Sequence, residues 1–196
     1  NFVMQRLVML LVACRLASAL IVSCPASSRS RSRSSMLRMQ DESAESLLES
    51  LQKRLKIFRE SQASGLGFKQ AVADAIAGDF DSDTVTAQVK AQAKSAPLVL
   101  FTWESSPACK KALQYLEIVG TTPTIIRLDD PWSEGNPKRA VLGRLTGKSS
   151  VPSIWIGGEY IGGCDDGPSD AAPGLVKLAF MGTLREKLEA AGALSN

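Results

Sequence analysis

The segment Leu98-Val-Leu-Phe-Thr-Trp-Glu-Ser-Ser-Pro-Ala-Cys-Lys-Lys-Ala112 decides how this chain folds. It begins with an apolar run typical of a buried strand, passes through a polar turn, and reaches a proline suited to the first position of a helix. Cys109 follows two residues after that proline. A strand that turns into a helix beside a cysteine is the arrangement of a C-x-x-C redox turn, but Ser106 occupies the first cysteine position.

The residues after this turn alternate between helix and strand patterns. Gly157-Gly158 separates two short apolar runs and predicts a two-residue hairpin, while Asn136-Pro137 predicts a helix start. The predicted order is helix 107–119, strand 124–128, helix 136–146, strands 153–156 and 159–161, and helices over 174–191. This order predicts an α/β fold with a four-stranded mixed sheet, in which one parallel pair is joined through a helix.

Three amphipathic helices are predicted ahead of the strand that begins at Leu98. Residues 41–60 repeat apolar side chains every three to four positions, and Phe68, Val72 and Ile76 continue the spacing until Gly78. Asp81 or Ser82 is suited to cap the third helix. We therefore assign a helical extension to residues 41–84 and the α/β domain to residues 85–196.

Residues 1–40 have the composition of a targeting leader. They contain six Arg and no Lys or acidic residue, and an apolar run from Leu7 to Cys24 is interrupted only by Arg15. A positive start with an apolar core is typical of a signal peptide, and the Arg/Ser tract that follows is typical of a transit peptide. Together they resemble the two-part leaders of plastid proteins in algae with complex plastids. Plastid delivery is the prediction, a mitochondrial or secretory leader or a membrane anchor remains open, and no membrane segment is expected in the mature form.

Composition excludes several classes of function. Residues 41–196 carry 17 Lys and Arg against 20 Asp and Glu, so this mildly acidic part gives no reason to expect nucleic-acid binding. The chain has no histidine, which excludes Ser-His-Asp and Cys-His catalysis and any His-ligated metal. Only Cys109 and Cys164 remain beyond the leader, too few for a structural zinc site, so no metal is predicted.

Four motifs, in order along the chain, carry a resemblance to glutaredoxins from about Val85 to Leu194. Ser106-Pro-Ala-Cys109 resembles the family's C-P-x-C, and Ser150-Val-Pro152 resembles its T-V-P. Gly158-Glu-Tyr-Ile-Gly-Gly-Cys-Asp-Asp166 is similar to its G-x-x-I-G-G-C-D-D, and Glu189-Ala-Ala-Gly-Ala-Leu194 to its C-terminal ending. The resemblance implies a thioredoxin-like fold with three layers.

The same resemblance implies a glutathione site. Pro152 would be a cis proline that presents the backbone of Val151 to the cysteinyl part of glutathione, and Gly163 would let the ligand approach the backbone. Cys164 and Asp165 would open the last helical region, where free N–H groups hold the γ-glutamyl end. The plainer interpretations are a proline at a strand start and a Gly-Gly-Cys-Asp-Asp tight turn.

Two further side chains are assigned to this site. Lys148 would meet the glycine carboxylate of glutathione, although lysines at helix ends are usually only solvated. Trp103 stands where many family members have a lysine that reaches glutathione. The family's nucleophile is its first cysteine, which is Ser106 here, and its second cysteine, Cys109 here, is usually the more buried of the pair.

Three hypotheses for function follow. The first is a glutathione-dependent thiol–disulfide oxidoreductase that acts through Cys109 alone on glutathionylated or disulfide-containing proteins. The second is a module that binds or senses glutathione without turnover. The third uses the hydroxyl of Ser106 to donate a hydrogen bond to a glutathione thiolate, as in serine-type glutathione transferases, although their helical C-terminal domain is missing unless residues 41–95 replace it.

Overall fold

The computed structural model describes residues 30–65 and 67–194, with side chains from residue 44 onward apart from residue 66. Most of the predicted leader therefore lies outside the described residues, and only residues 30–40 are described, as the backbone of a helix. The chain divides into a unit that ends at Glu45 and a second unit that begins at Ser46. The described part of the first unit is the beginning of helix α1, and the second unit holds everything that follows.

Seven helices and four strands make up the described part of the chain. In chain order they are α1 (Ser30–Ala63), α2 (Phe68–Ala77), α3 (Ser82–Ala93), β1 (Leu98–Thr102), α4 (Pro107–Val119), β2 (Thr124–Arg127), α5 (Trp132–Thr146), β3 (Ser153–Ile156), β4 (Glu159–Gly162), α6 (Leu175–Phe180) and α7 (Thr183–Ala190).

The four strands form one mixed sheet in the order β2-β1-β3-β4. β1 is parallel to β2, with Val99 beside Thr124, and antiparallel to β3, with Leu98 beside Ile156. Gly157 and Gly158 make the β3–β4 turn with φ of 59° and 81°, as their sequence predicts. All five residues of β1 are buried. Because β1 is a central strand, the turn between β1 and α4 lies near the middle of the sheet.

The sheet has a hydrophobic core on each face, and this confirms the predicted three-layer thioredoxin-like fold. Alternate residues of β1 face opposite sides because successive side chains of a strand do so. Leu100 joins Leu116 of α4 and Leu188 of α7 on one face. Phe101 lies in the other cluster, which includes Val89 of α3 and Val141 of α5. The loops at the end of β1 and the start of β3 therefore lie at one edge of the three layers.

Helix α3 links the extension to the α/β domain. Its N-cap is Asp81, whose carboxylate accepts hydrogen bonds from the backbone N–H groups of Asp83 and Thr84, as predicted. Hydrogen bonds from Thr84 hold the pKa of Asp81 below its usual value. The predicted boundary at residues 84 and 85 falls inside this helix, and its buried Val89 belongs to the core of the sheet.

Two helix starts differ from their predictions. α1 begins at Ser30 rather than at residue 41, since residues 30–40 contain no Gly or Pro and include good helix formers. α5 begins at Trp132, and Asn136-Pro137 lies inside it. Its first turn is held because Gly135 packs on the backbone of Leu128, where a Cβ would lie 1.9 Å from the carbonyl oxygen, and because Gly135 N–H donates to the carbonyl of Pro131.

Among the described residues, no helix is both long and apolar enough to cross a membrane.

Candidate functional site

Ser106 caps helix α4 at the end of the turn that follows β1. Its Oγ accepts a 3.4 Å hydrogen bond from the backbone N–H of Cys109, and its carbonyl accepts one from Lys110 N–H at 3.1 Å. Within the part of the chain that is described, the hydroxyl hydrogen of Ser106 has no acceptor. Ser106 therefore stabilises the helix start and keeps one donor for a ligand.

Cys109 is present at this helix start as a buried thiol, with only 1% of the residue exposed. It borders a groove of about 300 Å³ between α4 and β2, which Trp103, Leu113 and Ile125 also line. The predicted single thiol therefore adjoins an open groove but does not lie on the surface. A reaction at its Sγ needs the first turn of α4 to move.

The loop before β3 has an open backbone edge. The Val151–Pro152 peptide bond is cis, as the family resemblance implies. The N–H and carbonyl of Val151 make no hydrogen bond to any described residue, although the strand that begins at Ser153 is fully paired with β1. An extended peptide-like ligand can pair with this edge as an added strand does.

A second set of backbone donors lies where β4 ends. The carbonyl of Gly163 accepts from Leu175 N–H, and that of Cys164 accepts from Val176 N–H, both at 2.9 Å. In a trans peptide the N–H points away from the carbonyl of the preceding residue. The N–H groups of Cys164 and Asp165 must therefore point away from α6, and neither has an acceptor among the described residues. Two parallel donors of this kind suit a carboxylate.

Cys164 and Asp165 do not open the last helical region, contrary to the prediction. They form a bend, and the next helix, α6, begins only at Leu175. The loop between them is held by a 2.8 Å hydrogen bond from Gly174 N–H to the carbonyl of Ile161. Residues 167–174 contain two Gly and two Pro, which disfavour a helix there. The backbone N–H donors that were predicted at a helix N-terminus thus belong to a bend, and the first turn of α6 donates hydrogen bonds to the carbonyls of that bend.

The side chain of Cys164 belongs to the core. The residue is 3% exposed, and it packs among the apolar side chains between the sheet and α6. Burial, reinforced by the charge of Asp165, raises the pKa of the Cys164 thiol to about 11. This thiol stays protonated at neutral pH, so the contribution of Cys164 to the site is its backbone N–H.

Two ion pairs flank the bend. Lys111 of α4 lies 2.5 Å from the carboxylate of Asp165, and this hydrogen bond raises the pKa of Lys111. Lys148 lies 2.5 Å from the carboxylate of Asp166, holds the pKa of Asp166 below its usual value, and also donates to the Asp166 carbonyl at 3.1 Å. Lys148 therefore lies beside the bend and Gly163, where a Cβ would be 3.8 Å from its Nζ.

A cation that the sequence did not single out lies beside Trp103 and Ser149. The guanidinium of Arg139 stacks over Trp103, 4.7 Å from the ring centroid, and its Nε donates to the carbonyl of Ser149 at 2.8 Å. The ring of Trp132 packs edge-on against the ring of Trp103, with 5.3 Å between their centroids. Burial lowers the pKa of Arg139 from its usual value, but the group stays charged. The sequence pattern does not indicate a role for Arg139, since an arginine within a helix is usually solvated.

The predicted site residues surround the start of α4. Trp103 and Arg139 lie on the side of Ser149, the open edge of Val151 follows along the chain, and a Cβ at Gly163 would lie 3.4 Å from the Pro152 carbonyl. The ion pair of Asp165 with α4 closes the other side. Within the described ranges, no group of three or more Cys, Asp or Glu is placed to hold a metal ion.

Known proteins match this architecture. A family model described as Glutaredoxin matches residues 98–161. Glutaredoxin-C6 of rice is 36% identical over 80 residues, which cover 41% of this chain and 70% of the relative. Monothiol glutaredoxin-S10 of rice is 40% identical over 80 residues (40% and 48%), and the chloroplastic monothiol glutaredoxin-S12 of Arabidopsis thaliana is 35% identical over 85 residues (42% and 46%). The chain thus spans about half the length of the two monothiol relatives.

Solved structures give the same result. A buckwheat glutaredoxin–glutathione complex superposes with a TM-score of 0.51 at 27% identity, covering 58% of this chain and 96% of that one. The holo form of glutaredoxin C1 from Populus tremula x tremuloides superposes with a TM-score of 0.52 at 30% identity, covering 59% and 96%. The family match at residues 98–161 spans β1, α4, the Val151–Pro152 loop and most of β4.

Proposed function

Because this chain belongs to the glutaredoxin family, we propose that it binds glutathione and exchanges disulfides with glutathionylated or disulfide-containing proteins through one thiol, that of Cys109. The observation that carries the proposal is the set of unpaired backbone groups at Val151, Cys164 and Asp165, arranged around the helix that holds Cys109. The buckwheat relative was solved with glutathione, which supports the choice of ligand.

Glutathione has groups that match those of the site. Its cysteinyl backbone would pair with the open edge of Val151. The γ-glutamyl carboxylate would accept from the N–H groups of Cys164 and Asp165, and its ammonium would lie against the Asp165 carboxylate. The glycine carboxylate would then extend toward Trp103, where Arg139 offers guanidinium N–H groups beyond the one that Ser149 uses.

This arrangement reassigns one cation. The sequence assigned the glycine carboxylate to Lys148, but Lys148 is paired with Asp166 beside the bend, at the γ-glutamyl end. Arg139 lies at the Trp103 end and is the better candidate for the glycine carboxylate. The role of Lys148 then becomes to hold Asp166, and through it the bend.

The proposed reaction is an exchange at one sulfur. The Cys109 thiolate attacks the glutathionyl sulfur of a mixed disulfide between glutathione and a protein, so that an S–S bond forms to Cys109 and the bond to the protein breaks. The protein leaves as a thiolate and takes up a proton. A second glutathione thiolate then attacks the glutathionyl sulfur on Cys109, which releases oxidised glutathione and restores the Cys109 thiolate.

The burial of Cys109 favours a second candidate function. A thiol in a residue that is 1% exposed reacts only during openings of the first turn of α4, so turnover is limited by the frequency of those openings. If they are rare, the protein binds or senses glutathione without significant turnover. The free hydroxyl hydrogen of Ser106 also keeps the transferase-like hypothesis testable, because it can donate to a bound glutathione thiolate.

A reductase assay with a glutathionylated substrate separates these functions. We expect activity in the wild type and its complete loss in Cys109→Ser. Ala112→Ser is the matched control, since Ala112 is also fully buried in α4 and receives the same hydroxyl. Activity that survives in Cys109→Ser would contradict the single-thiol mechanism, and no activity in the wild type would favour the binding module.

Glutathione binding is tested independently of turnover. Binding to the folded state must raise the melting temperature by mass action. We expect millimolar glutathione to raise it in the wild type and in Cys109→Ser alike, since no proposed contact uses that thiol. An unchanged melting temperature in both proteins would contradict the ligand assignment.

We also propose that residues 1–40 direct the protein to plastids. Plastid delivery is supported by the Arg/Ser-rich, acid-free composition of residues 1–40 and by a relative whose name places it in the chloroplast. A fluorescent protein fused after residue 40 should enter plastids in an alga with complex plastids; accumulation in mitochondria or secretion would select one of the alternative leaders.

A further inference from the structure

Two buried polar side chains on α2 connect the helical extension to α5. Asp74 is 2% exposed, and its carboxylate accepts from Ser61 Oγ at 2.6 Å, from Gln70 Nε2 at 2.8 Å and from Arg144 Nη2 of α5 at 3.0 Å. Arg144 also donates to Ser82 Oγ at 3.2 Å. Buried charges are tolerated only when they are paired in this way, so the network fixes the position of α2 on α5.

Gln70 extends this network toward the loop of residues 147–152, which contains Val151. Its Nε2 also donates to the carbonyl of Ala140 at 2.9 Å, and the residue is only 4% exposed. Its amide lies directly on Gly143, where a Cβ would be 1.8 Å from Gln70 Oε1 and 2.7 Å from the Cβ of Ser149. Gln70, Gly143 and Ser149 are therefore packed together with no room for another atom.

Ser149 is the residue through which this packing reaches the site. It is 6% exposed, its carbonyl accepts the Nε–H of Arg139, and it lies two residues before the open edge of Val151. Residues 147–152 belong to no helix or strand, and β3 begins only at Ser153. The position of this loop is set by the hydrogen bonds of Arg139 to Ser149 and of Thr146 to Lys148, and by the atoms that it packs against. Gln70 reaches it through Gly143.

We propose that Gln70 is a positioning residue for the glutathione site, and that the helical extension is thereby a working part of that site. Gln70 supports Gly143 and Ser149 from behind, which holds the carbonyl that orients Arg139 and the backbone of Val151 that pairs with the ligand. The inference rests on the proposed function for its ligand, but the packing that it invokes exists without ligand.

The first test compares Gln70→Ala with the wild type and with Leu98→Ala. Leu98 is 2% exposed, and it begins β1 at the end of the strand away from the site, about 13 Å from Thr102 at the usual rise per residue. Its truncation destabilises the fold without touching loop 147–152. By titration calorimetry, we expect glutathione to bind about tenfold more weakly to Gln70→Ala and within about twofold of wild type to Leu98→Ala.

Hydrogen exchange followed by mass spectrometry gives the readout that a merely structural role would not produce. In Gln70→Ala the backbone of residues 147–152 should exchange faster, even without glutathione, while β1 keeps its protection. Gln70→Met fills the same volume but cannot donate to Ala140 or Asp74, so it should recover most of the affinity and of the loop protection. If Gln70→Ala does not fold, the inference is judged on Gln70→Met, which should then bind about two- to threefold more weakly than wild type.

A double variant tests the contact itself. Gly143→Ala places a methyl group against both Gln70 and Ser149 and should weaken glutathione binding. In the Gln70→Ala background one of those two clashes is removed, so the same substitution should weaken binding less. The two effects should therefore be less than additive.

The outcomes separate this inference from the proposed function. Wild-type affinity and wild-type loop exchange in Gln70→Ala would overturn the inference, as would an equal loss of affinity in Leu98→Ala. If the wild type does not bind glutathione, the proposed function fails, and loop exchange alone decides: faster exchange at 147–152 only in Gln70→Ala supports positioning, and unchanged exchange overturns it.

Discussion

The start of α4 and the bend after β4 each contain one buried cysteine, yet they differ in what they offer a ligand. At the bend, the ligand groups are the backbone N–H donors of Cys164 and Asp165, and the Cys164 thiol is part of the core. At the helix start, the chemistry depends on two side chains, the hydroxyl of Ser106 and the thiol of Cys109. Recognition carried by backbone survives side-chain replacement, whereas thiol chemistry can be lost by replacing one residue.

The largest change should come from restoring a thiol at the helix start. In Ser106→Cys the new thiol caps α4, where the helix N-terminus favours a thiolate and no opening is needed. We expect glutathione-dependent reductase activity to rise on the order of 100-fold, which corresponds to about 2.7 kcal/mol in the barrier. The double variant with Cys109→Ser should keep that gain; no gain in either protein would show that the recognition half of the site has diverged as well.

The Cys164 thiol should make stability depend on pH at high pH. The pKa of Cys164 is about 11 when folded and near 9.0 when unfolded, so between these values only the unfolded chain has released the proton. The stabilisation is fully present below pH 9 and is lost as the pH rises to 11, by about 2 kcal/mol in the free energy of unfolding. Urea unfolding at pH 8 and pH 10.5 measures it, and Cys164→Ala should lose less stability over that interval. Equal losses in both proteins would mean that other groups account for the decline.

Removal of the carboxylate at the bend should weaken ligand binding without affecting the thiol. Asp165→Ala removes the acceptor for the γ-glutamyl ammonium, a charge-assisted contact of about 1.5–3 kcal/mol. Part of that is offset because the ligand no longer displaces Lys111, so we expect binding about tenfold weaker by titration calorimetry. Asp170→Asn, which removes a carboxylate from the neighbouring exposed loop, is the control and should bind as wild type does; an equal effect of both substitutions would point to general electrostatics.

A smaller effect distinguishes the two cations. Arg139→Met should weaken glutathione binding about three- to fivefold more than Lys148→Met, because only Arg139 lies at the Trp103 end of the site. Affinities for glutathione and for its γ-glutamyl-cysteine fragment, which lacks the glycine carboxylate, measure the difference. The two variants should bind the fragment more equally, and a larger loss in Lys148→Met with whole glutathione would restore the original assignment.

Local patterns accounted for much of the fold. β1, α4 and the Gly157-Gly158 turn lie where the sequence places them, since each is specified by residues within one element or one turn. The start of α5 was wrong because Asn136-Pro137 is a good local signal that was overridden by the packing of Gly135 on the backbone of Leu128. A contact between distant residues leaves no mark in the local pattern.

The candidate site likewise contains residues that local motifs predict and residues that only contacts between distant elements place. The motif residues converge as their order implies, but Arg139 and Gln70 were missed. Arg139 has a role only because Trp103 and Ser149 meet it from other elements. Gln70 occupies a helix position that reads as solvent-exposed, and it is buried because Ala140 and Gly143, some 70 residues later, pack against it.

The hydrogen bonds from the first amides of α6 to the carbonyls of Gly163 and Cys164 have one further consequence. A peptide group that accepts at its carbonyl becomes a stronger donor at its N–H, because each hydrogen bond polarises the next. The positive end of the α6 dipole is thereby relayed through two peptide planes to the outward N–H groups of Cys164 and Asp165. The loop between helix and bend contributes no donor to this relay, so a substitution at its exposed Asp170 should leave the polarisation unchanged, provided that the two hydrogen bonds remain.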